Sequence, residues 1–356
     1  MSWTYTKIGA LLLSPPKTIS VPSSQYRKHG TTPVVDQSQQ DISGYTNVPH
    51  ARFESPLPVV LFGDHTRVLK YLDSPFARGA DGTQILVTDP NHVLPHYFFY
   101  ALHTVDLSSY GYARHFKYLK EKSIPVPPIN IQQSIVDKLS PYDTLIQNNK
   151  RRMRLLEESI HLLYQKWFVL FQYPGQESTR IVGGRPDGWR RCTVGEVLTN
   201  IPRRTTIPKK SYLSEGPIPI IDQSSTFIGG YTRVQSARYD SPLPLIVFGD
   251  HTRILKFVDV PFARGADGTQ LLYPNECITP PFLYCALCHI DLSSFGYARH
   301  FKYLKAKPIL VPPQKISRLF ENHTTPILRQ IGTLRTQNKH LNNARTILIS
   351  RLIQRS

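Results

Sequence analysis

Two kinds of hydrophobic pattern alternate along this chain. The first 128 residues are rich in β-branched and aromatic residues broken by Pro and Gly, and the apolar run Leu57–Phe62 predicts a buried strand. Gln84–Val87 predicts a second strand, and Pro95–Leu102 predicts a short helix with Pro in its first turn. The pattern ends at Val126-Pro127-Pro128, where consecutive prolines restrict the backbone and indicate a boundary.

After each Pro pair the spacing becomes helical. Mostly apolar residues recur at alternating intervals of three and four in two segments, Ile146, Asn149, Met153, Leu156, Ile160, Leu163, Trp167, Leu170 and Ile327, Ile331, Leu334, Asn338, Leu341, Arg345, Leu348, Leu352. Such heptads are typical of a coiled coil, in which a buried Asn often fixes the register. Each helix could instead pack only on its own globular neighbour, but the seams favour antiparallel pairing. The residues expected to hold this spacer are Asn149, Leu156, Leu163, Asn338, Leu341 and Leu348.

A whole domain is duplicated in the sequence. Residues 75–84 (PFARGADGTQ) return unchanged at 261–270, and Asp106–Lys120 returns at Asp291–Lys305 with one difference, Tyr110 against Phe295. The offset is 186 residues early in the repeat and 185 after a one-residue gap. This is far longer than a solenoid unit of about 20–50 residues. Two similar surfaces in a pseudo-two-fold arrangement suit a two-fold or bipartite target.

The predicted fold class is therefore α/β (α+β) globular domains in two copies, alternating with two long helices that form an antiparallel coiled coil. Its segments are a globular module at 1–128 (module 1), a helical region at 129–172, a linker at 173–188, a second globular module at 189–313 (module 2) and a helical region at 314–356. The length of 356 residues and the hydrophobic fraction of 40% are enough for a core in each module.

The charge of the chain favours a polyanionic partner. The formal net charge is +18 and the isoelectric point is about 9.8, which point to nucleic acid. The 25 acidic residues are scattered, so the charge belongs to folded surfaces. No apolar run is long enough to cross a membrane and no signal-peptide pattern precedes the first module, so we expect a cytoplasmic protein with no membrane partner.

Four cysteines allow one metal hypothesis. Cys285-x-x-Cys288 together with Cys277 could form a zinc cluster. The matching positions of module 1 carry His, Tyr and His, and no second CxxC exists. The sequence therefore favours buried or half-buried thiols and predicts no metal site.

Cations alternate with aromatic residues in Gly111–Lys120 and in its repeat. Arg and Lys bind phosphates or guanine edges, although the aromatics could be core and the cations a solvated edge.

The Asp-His-Thr-Arg sequence at 64–67 and 250–253 has three possible interpretations. It could be a turn stabilised by Asp, a DNA contact or, least favoured, an acid–base site. Phe76–Thr83 predicts a turn with positive φ at glycine and Arg78 pointing outward. The candidate DNA contacts are His65, Arg67, Arg78, Arg114, His115, Lys117, Lys120, His251, Arg253, Arg264, Arg299, His300, Lys302 and Lys305.

Catalytic motifs are not found in the sequence. It contains no GxGxxG, no GxxxxGK[ST], no HExxH and no Asn/Asp-Pro-Pro-aromatic signature of amino-methyltransferases. No carboxylate cluster of a nuclease is convincing either. The sequence therefore predicts a binding protein with no catalytic residues of its own.

The ordered segments VLFGDHTR, PFARGADGTQ, GYARHFKYLK and IPVPPINIQQSIVDKL, with their second copies and the two heptad regions, resemble the specificity subunits of type I restriction–modification systems. The resemblance covers essentially the whole chain. It implies two target-recognition domains, each reading half of a bipartite DNA site, and an antiparallel coiled coil that docks two methyltransferase subunits. It also implies motor–endonuclease partners. S-adenosylmethionine, ATP and Mg²⁺ would then be used by those partners, and this chain would bind no cofactor.

The closeness of the two modules has a further consequence. Similar domains related by a pseudo-two-fold axis should read similar half-sites on opposite strands, so we expect an interrupted, near-palindromic target for adenine methylation or cleavage. The modules differ most between 14–56 and 200–241, where differences in the half-sites would arise. The alternatives are a specificity subunit that serves a methyltransferase only, a stand-alone DNA-modifying enzyme and an RNA-binding protein.

Overall fold

The computed structural model describes residues 3–80, 82–111, 113–266, 268–293, 296 and 299–354. The chain divides into two compact units, Met1–Asn148 with Asn338–Ser356 (unit 1) and Asn149–Gln337 (unit 2). Module 1 lies in unit 1 and module 2 lies in unit 2. The division falls within the two long helices, so each unit contains one module and a segment of each helix.

The described residues of module 1 form ten strands and three short helices. The strands are β1 (Thr4–Lys7), β2 (Leu12–Leu13), β3 (Thr32–Val35), β4 (Gly44–Thr46), β5 (Arg52–Phe53), β6 (Val59–Gly63), β7 (Leu69–Leu72), β8 (Phe76–Arg78), β9 (Thr83–Thr88) and β10 (Ser123–Val126), and the helices are α1 (Ile8–Leu11), α2 (Pro95–Leu102) and α3 (Phe116–Glu121). Two four-stranded sheets have the orders β2-β9-β6-β7 and β4-β3-β8-β5, and β1 pairs with β10. The predicted strands at 57–62 and 84–87 and the helix at Pro95–Leu102 are confirmed.

The core of module 1 lies between β6 and α2. Every residue of β6 is buried because its run is apolar without interruption. Tyr97 and Phe98 of α2 are fully buried in the same cluster. Leu139, Ile349 and other residues of the long helices complete it, so this core includes both module and helix residues.

The first long helix, α4 (Ile129–Tyr164), follows module 1 directly and ends in a π-helical turn at Gln165–Val169. The linker that follows contains a two-stranded hairpin, β11 (Ile181–Val182) with β12 (Arg185–Pro186). Gly183 and Gly184 have φ values of 58° and 75° between these strands. Asn-Gly and Gly-Gly pairs adopt such positive φ values in the tightest hairpin turns.

Module 2 repeats the architecture of module 1. Its strands are β13 (Arg190–Thr193), β14 (Ile218–Ile221), β15 (Gly230–Thr232), β16 (Arg238–Tyr239), β17 (Leu245–Gly249), β18 (Leu255–Val258), β19 (Phe262–Arg264), β20 (Thr269–Leu272) and β21 (Pro308–Val311), and its helices are α5 (Pro280–Cys288) and α6 (Phe301–Ala306). The sheets are β15-β14-β19-β16, β18-β17-β20 and β13-β21. The strand register is also repeated, since Val59 pairs with Leu72 and Leu245 pairs with Val258.

The second long helix, α7 (Gln314–Ile353), pairs with α4 in the opposite direction. In unit 1, the Asn338 side-chain amide donates to the Ile146 carbonyl over 3.2 Å, and Arg345 further along α7 binds Asp143 further back along α4. In unit 2, the Phe320 ring packs on Phe168 with centroids 5.0 Å apart. The predicted antiparallel pairing of the helices is thus confirmed within each unit.

The heptad seam is only partly buried. Asn149 and Asn338 are buried, with 7% and 8% of their surface exposed, whereas Leu156, Leu163, Leu341 and Leu348 are half-buried. Leu170 was predicted to close the first seam, but it is 57% exposed. The π-helical turn at Gln165–Val169 precedes this residue and changes the number of residues per turn. The Leu170 side chain therefore no longer points toward the seam.

Asp143 is the centre of a polar cluster in unit 1. It accepts hydrogen bonds from Tyr100 and Arg345, and His96 lies 3.7 Å away. The His96 ring stacks on Tyr71, with centroids 4.1 Å apart. Burial alone would raise the pKa of the Asp143 carboxyl, but the bonds from His96, Tyr100 and Arg345 hold that pKa below its ordinary value.

Replacing Asp143 with Asn should therefore cost stability in a pH-dependent way. A lowered folded-state pKa gives stability that is present above the ordinary pKa of about 4 and is lost as pH falls through the lower folded value. We expect D143N to lower the free energy of unfolding by about 1–3 kcal/mol at pH 7, because it weakens bonds to a charged acceptor. Urea unfolding at pH 7 and pH 3 should show this difference shrinking at the lower pH. D137N, at an exposed site of the same helix, is the control, and an equal loss at both pH values would contradict the prediction.

Candidate nucleic-acid interface

Asp64 joins the turn after β6 to the start of α3. Its carboxylate accepts a hydrogen bond from the Phe116 amide at 2.7 Å, and its carbonyl accepts one from the His115 amide at 2.8 Å. Its own amide donates to the Gly82 carbonyl at 2.7 Å. Only 4% of Asp64 is exposed. The Asp is therefore a tertiary cap that holds three repeated sequence segments together, which favours a structural role over acid–base chemistry.

Module 2 contains the same junction with the same distances. Asp250 accepts from the Phe301 amide at 2.7 Å and from the His300 amide at 2.8 Å, and it donates to the Gly268 carbonyl at 2.7 Å. Asp250 is also 4% exposed. The sequence duplication is thus reproduced at the level of individual hydrogen bonds.

His115 and His300 belong to the interior of this junction. Each is 1% exposed. The ring nitrogens of His115 lie 2.9 Å from the Asp64 carbonyl and 3.1 Å from the Gly111 carbonyl, and those of His300 lie at 2.8 and 3.0 Å from the matching carbonyls. The expectation that these two residues contact DNA is therefore contradicted, because their polar atoms face protein backbone and not solvent.

Gln37 is part of the site but was missed by the sequence analysis. Its side-chain oxygen accepts a hydrogen bond from the His65 amide at 3.1 Å, and its carbonyl accepts one from the Thr66 hydroxyl at 2.7 Å. Gln223 makes both bonds in module 2 at the same distances. The available signal was Asp-Gln-Ser at 36–38, which returns at 222–224 inside the stretch where the modules otherwise diverge.

Gly82 and Gly268 permit this packing. Their φ values are +82° and +78°, which confirms the predicted turn with positive φ. A Cβ atom on Gly82 would lie 2.8 Å from the Gln37 side-chain nitrogen and 2.9 Å from the His65 ring. Asp81 and Asp267, which precede these glycines in the repeated motif, lie outside the described residues. His65 and His251 are half-buried beside the turn.

Arg67 and Arg253 hold a left-handed backbone conformation at φ +61° and are exposed at the end of the turn. Their guanidinium groups donate to the carbonyls of Leu107 at 3.3 Å and Leu292 at 3.1 Å. Each therefore links the turn to the loop that leads into the basic segment. Because both side chains are exposed, they remain candidates for DNA contact.

Arg78 does not point outward as predicted, and its counterpart Arg264 is held in the same way. Arg78 donates to the Thr18 carbonyl at 3.3 Å, and Arg264 donates to the Thr206 hydroxyl at 2.6 Å. Both side chains are half-buried, and the buried Nε atom of each has no hydrogen-bond partner among the residues that the structure describes. These arginines fasten the segment before β3 or β14 to the sheet.

The remaining candidate cations form a matched exposed set in both modules. Arg114, Lys117 and Lys120 of module 1 are exposed, as are Arg299, Lys302 and Lys305 of module 2. The Lys120 and Lys305 ammonium groups each lie 5.1 Å from the ring centre of the Phe that begins the helix. Tyr112 and Tyr297, the first aromatic residues of the basic segment, lie outside the described residues. The exposed side chains of α3 and α6 are therefore mainly basic, although Glu121 at the end of α3 is also exposed.

A buried lysine fixes the loop that carries Gln223. The Lys256 ammonium donates to the Asp222 carbonyl at 2.7 Å and to the Thr226 carbonyl at 2.5 Å. Burial lowers the pKa of Lys256 to about 8, although Asp222 opposes this shift. In module 1, Lys70 donates to the Asp36 carbonyl at 2.8 Å. The loop beside the turn is thus clamped in the same way in both modules.

The predicted buried or half-buried thiols are confirmed, with Cys285 buried and the other three cysteines half-buried. Burial raises the pKa of Cys288 to about 12, which disfavours the thiolate that zinc requires. Within the described ranges, no group of three or more His, Cys, Asp or Glu side chains is arranged to hold a metal ion. None of the described helices combines the length and the apolar character that a membrane span needs.

Comparisons with known proteins agree on one family. The model of the type I restriction modification DNA specificity domain matches residues 18–158. The type I restriction enzyme MjaIX specificity subunit of Methanocaldococcus jannaschii is 26% identical over 272 residues, which cover 66% of this chain and 60% of that protein. The EcoR124I/EcoR124II specificity subunit of Escherichia coli is 30% identical over 122 residues, 32% of this chain and 30% of that protein. The matches thus span about three fifths or less of these relatives.

A solved structure shares the fold along almost the whole length. The S subunit of a type I restriction–modification system from M. genitalium aligns with 99% of this chain and 96% of its own, with a TM-score of 0.52 and 17% sequence identity. At this identity the similarity concerns the fold. It extends beyond the sequence match to both modules and both long helices.

Proposed function

We propose that this chain belongs to the specificity-subunit family of type I restriction–modification systems and that each module reads one half of a bipartite, near-palindromic DNA site. The bound chain directs adenine methylation or cleavage by partner subunits at that site. The observation that supports this most is the matched set of exposed cations, held by the same hydrogen bonds in both modules. Two copies of one basic surface suit two related half-sites.

The chain itself is proposed to be non-catalytic and to bind double-stranded DNA. Two methyltransferase subunits and motor–endonuclease subunits would be its partners in the prokaryotic cytoplasm, where the host DNA lies. They would supply the chemistry that uses S-adenosylmethionine, ATP and Mg²⁺. Support for this division of labour comes from the Asp64 and Asp250 carboxylates, which accept backbone hydrogen bonds in the fold and are 4% exposed. General acid–base catalysis requires a group within reach of substrate.

A specificity subunit that serves a methyltransferase alone is the nearest alternative, and the genes beside this one would distinguish it. A stand-alone DNA-modifying enzyme would modify or cut DNA as a purified chain. An RNA-binding protein would show no preference among duplex DNA sequences. Neither of these two alternatives would require a methyltransferase subunit.

The experiment that tests the proposal is co-expression of the chain with its neighbouring methyltransferase subunit, followed by single-molecule sequencing of host DNA. The expected result is methylated adenine in a bipartite motif with a fixed gap and related, inverted halves. Unrelated halves would retain the specificity role and overturn the near-palindrome. A complex that assembles but neither binds nor methylates DNA at a defined motif would overturn the proposal.

The exposed arginines at the start of α3 and α6 should contribute directly to DNA affinity. We expect R114A and R299A each to weaken binding, since each removes one exposed cation from a matched position. Fluorescence anisotropy at several salt concentrations distinguishes two kinds of contact. A phosphate contact lowers the salt slope by about 1 for all sequences, whereas a base contact relaxes one position at a cost of about 1–3 kcal/mol. Unchanged affinity in both variants would mean that this segment has a structural role and does not contact DNA.

A further inference from the structure

Beside the candidate interface, each module has a surface turn whose sequence differs between the two modules. The hydrogen bonds that hold this turn are the same in both. We name residues 23–29 and 209–215 the variable turns. In module 1 the Tyr26 hydroxyl donates to the Asp36 carboxylate at 3.1 Å and accepts from the Ala80 amide at 3.1 Å. In module 2 Tyr212 makes the same two bonds at 3.3 and 3.2 Å. Both turns are therefore fixed to the same place in their modules.

This place adjoins the candidate interface. The loop that binds Tyr26 leads through Ala80 to Gly82, and Gly82 packs against the Gln37 and His65 side chains. A Cβ on Gly79 would come within 2.4 Å of the Tyr26 hydroxyl, and one on Gly265 within 2.3 Å of Tyr212. Gly79 and Gly265 thus let each variable turn pack directly on the loop beside the turn at Gly63–Arg67 or Gly249–Arg253, which we name the shared turn.

The backbones of the two variable turns coincide at the position after the tyrosine. The Arg27 amide and carbonyl both pair with Tyr45, each at 2.9 Å. The Leu213 amide and carbonyl pair with Tyr231 in the same way, again at 2.9 Å. Side chains at this position leave the sheet edge from an equivalent backbone in both modules, so any difference between them lies in their chemistry.

That chemistry is different, and it is exposed. Arg27-Lys28-His29 of module 1 corresponds to Leu213-Ser214-Glu215 of module 2, and all six residues are exposed. Leu213 leaves 41% of its surface exposed, so its apolar side chain is accessible at the sheet edge. The variable turn of module 1 thus carries two positive charges, whereas that of module 2 carries an apolar side chain and a negative charge.

We propose that the variable turns make the two half-sites differ, with Arg27 and Leu213 as the specificity-determining pair. This inference rests on the proposed DNA-reading function. The Arg27 guanidinium fits the paired acceptors on the major-groove edge of guanine, whereas the Leu213 side chain fits the methyl group of thymine. The half-site of module 1 therefore has guanine where the half-site of module 2 has thymine.

The test exchanges the turns in the full chain, co-expressed with the methyltransferase subunit. R27L/K28S/H29E should replace guanine by thymine at one position of one half-site, and change the methylation ratio of the two sequences about 5- to 150-fold. The other half-site should stay the same. The reciprocal variant L213R/S214K/E215H should make the opposite change, and it decides the question if the first variant does not fold.

S74V is the matched control, because Ser74 is also exposed and also differs between the modules, where it corresponds to Val260. It follows β7 at the end where Leu72 pairs with Val59, opposite to the end that bears the Gly63–Arg67 turn. The S74V variant should direct methylation to the same DNA motif as the natural chain. Unchanged motifs in both exchange variants would overturn the inference alone. A natural chain without any bipartite motif would instead overturn the proposed function.

Discussion

Replacing Phe320 with Ala is expected to lower the free energy of unfolding of unit 2 by about 3–5 kcal/mol, the usual range for a phenylalanine deleted from a core. Phe320 is fully buried. Its ring lies among three aromatic rings of the first helical region, with centroids 6.2 Å from Tyr164, 5.8 Å from Trp167 and 5.0 Å from Phe168. The substitution removes the contact surface for all three at once, so the site cannot collapse easily.

The measurement is urea unfolding of the full chain, followed by tryptophan fluorescence, since Trp167 lies in this cluster. L162A is the control from the same unit, because Leu162 is 58% exposed and its truncation should change stability by less than about 0.5 kcal/mol. Equal effects of F320A and L162A would mean that the aromatic cluster does not hold the helices together in unit 2.

The hydrophobic pattern predicted the fold correctly where a single apolar run or a single apolar helix face determines which residues are buried. β6 and α2 were predicted because an unbroken apolar run and an apolar helix with Pro at its start have few alternatives. The heptads predicted the helix pairing for the same reason. Leu170 was misplaced because the change to a π-helical turn at Gln165 depends on local packing and leaves the spacing of apolar residues intact.

The site was harder to predict because the sequence does not distinguish a buried polar residue from an exposed one. His115 stands between Arg114 and Lys117 in a basic segment, yet its ring bonds backbone carbonyls inside the module. Gln37 stands in a divergent stretch, yet its bonds to the shared turn are long-range. Both roles depend on contacts between distant segments, which spacing along the chain does not encode.

These corrections change the meaning of the duplication. Asp64, His115 and Arg78 are identical in both modules, and each makes hydrogen bonds inside its own module. Much of the strongest sequence repetition therefore preserves a scaffold. The shared exposed cations can account for related halves of the target, and the variable turns can account for their difference. A duplicated recognition domain can thus diverge in specificity without changing its supporting hydrogen bonds.

Replacing Asp64 with Ala should disconnect this scaffold from the basic segment of module 1. The carboxylate that accepts the Phe116 amide would be lost, and a bond to a charged acceptor contributes about 1.5–3 kcal/mol. Because the start of α3 also carries Arg114, we expect affinity for the bipartite site to fall at least about tenfold, in line with 1.4 kcal/mol per tenfold change. D250A should have the same effect through module 2, since Asp250 makes the same bonds.

Two measurements separate this local effect from general unfolding. Hydrogen exchange should show faster exchange of the Phe116 amide in D64A while the amides of β6 stay protected, and fluorescence anisotropy should show the loss of affinity. D64N keeps an acceptor oxygen and should restore most of the affinity. D73A, which removes an exposed carboxylate of the same module, should leave both measurements unchanged. If D64A binds the bipartite site as tightly as D73A does, the Asp64 junction does not position the DNA-binding surface, and the basic segment must be held by its own packing.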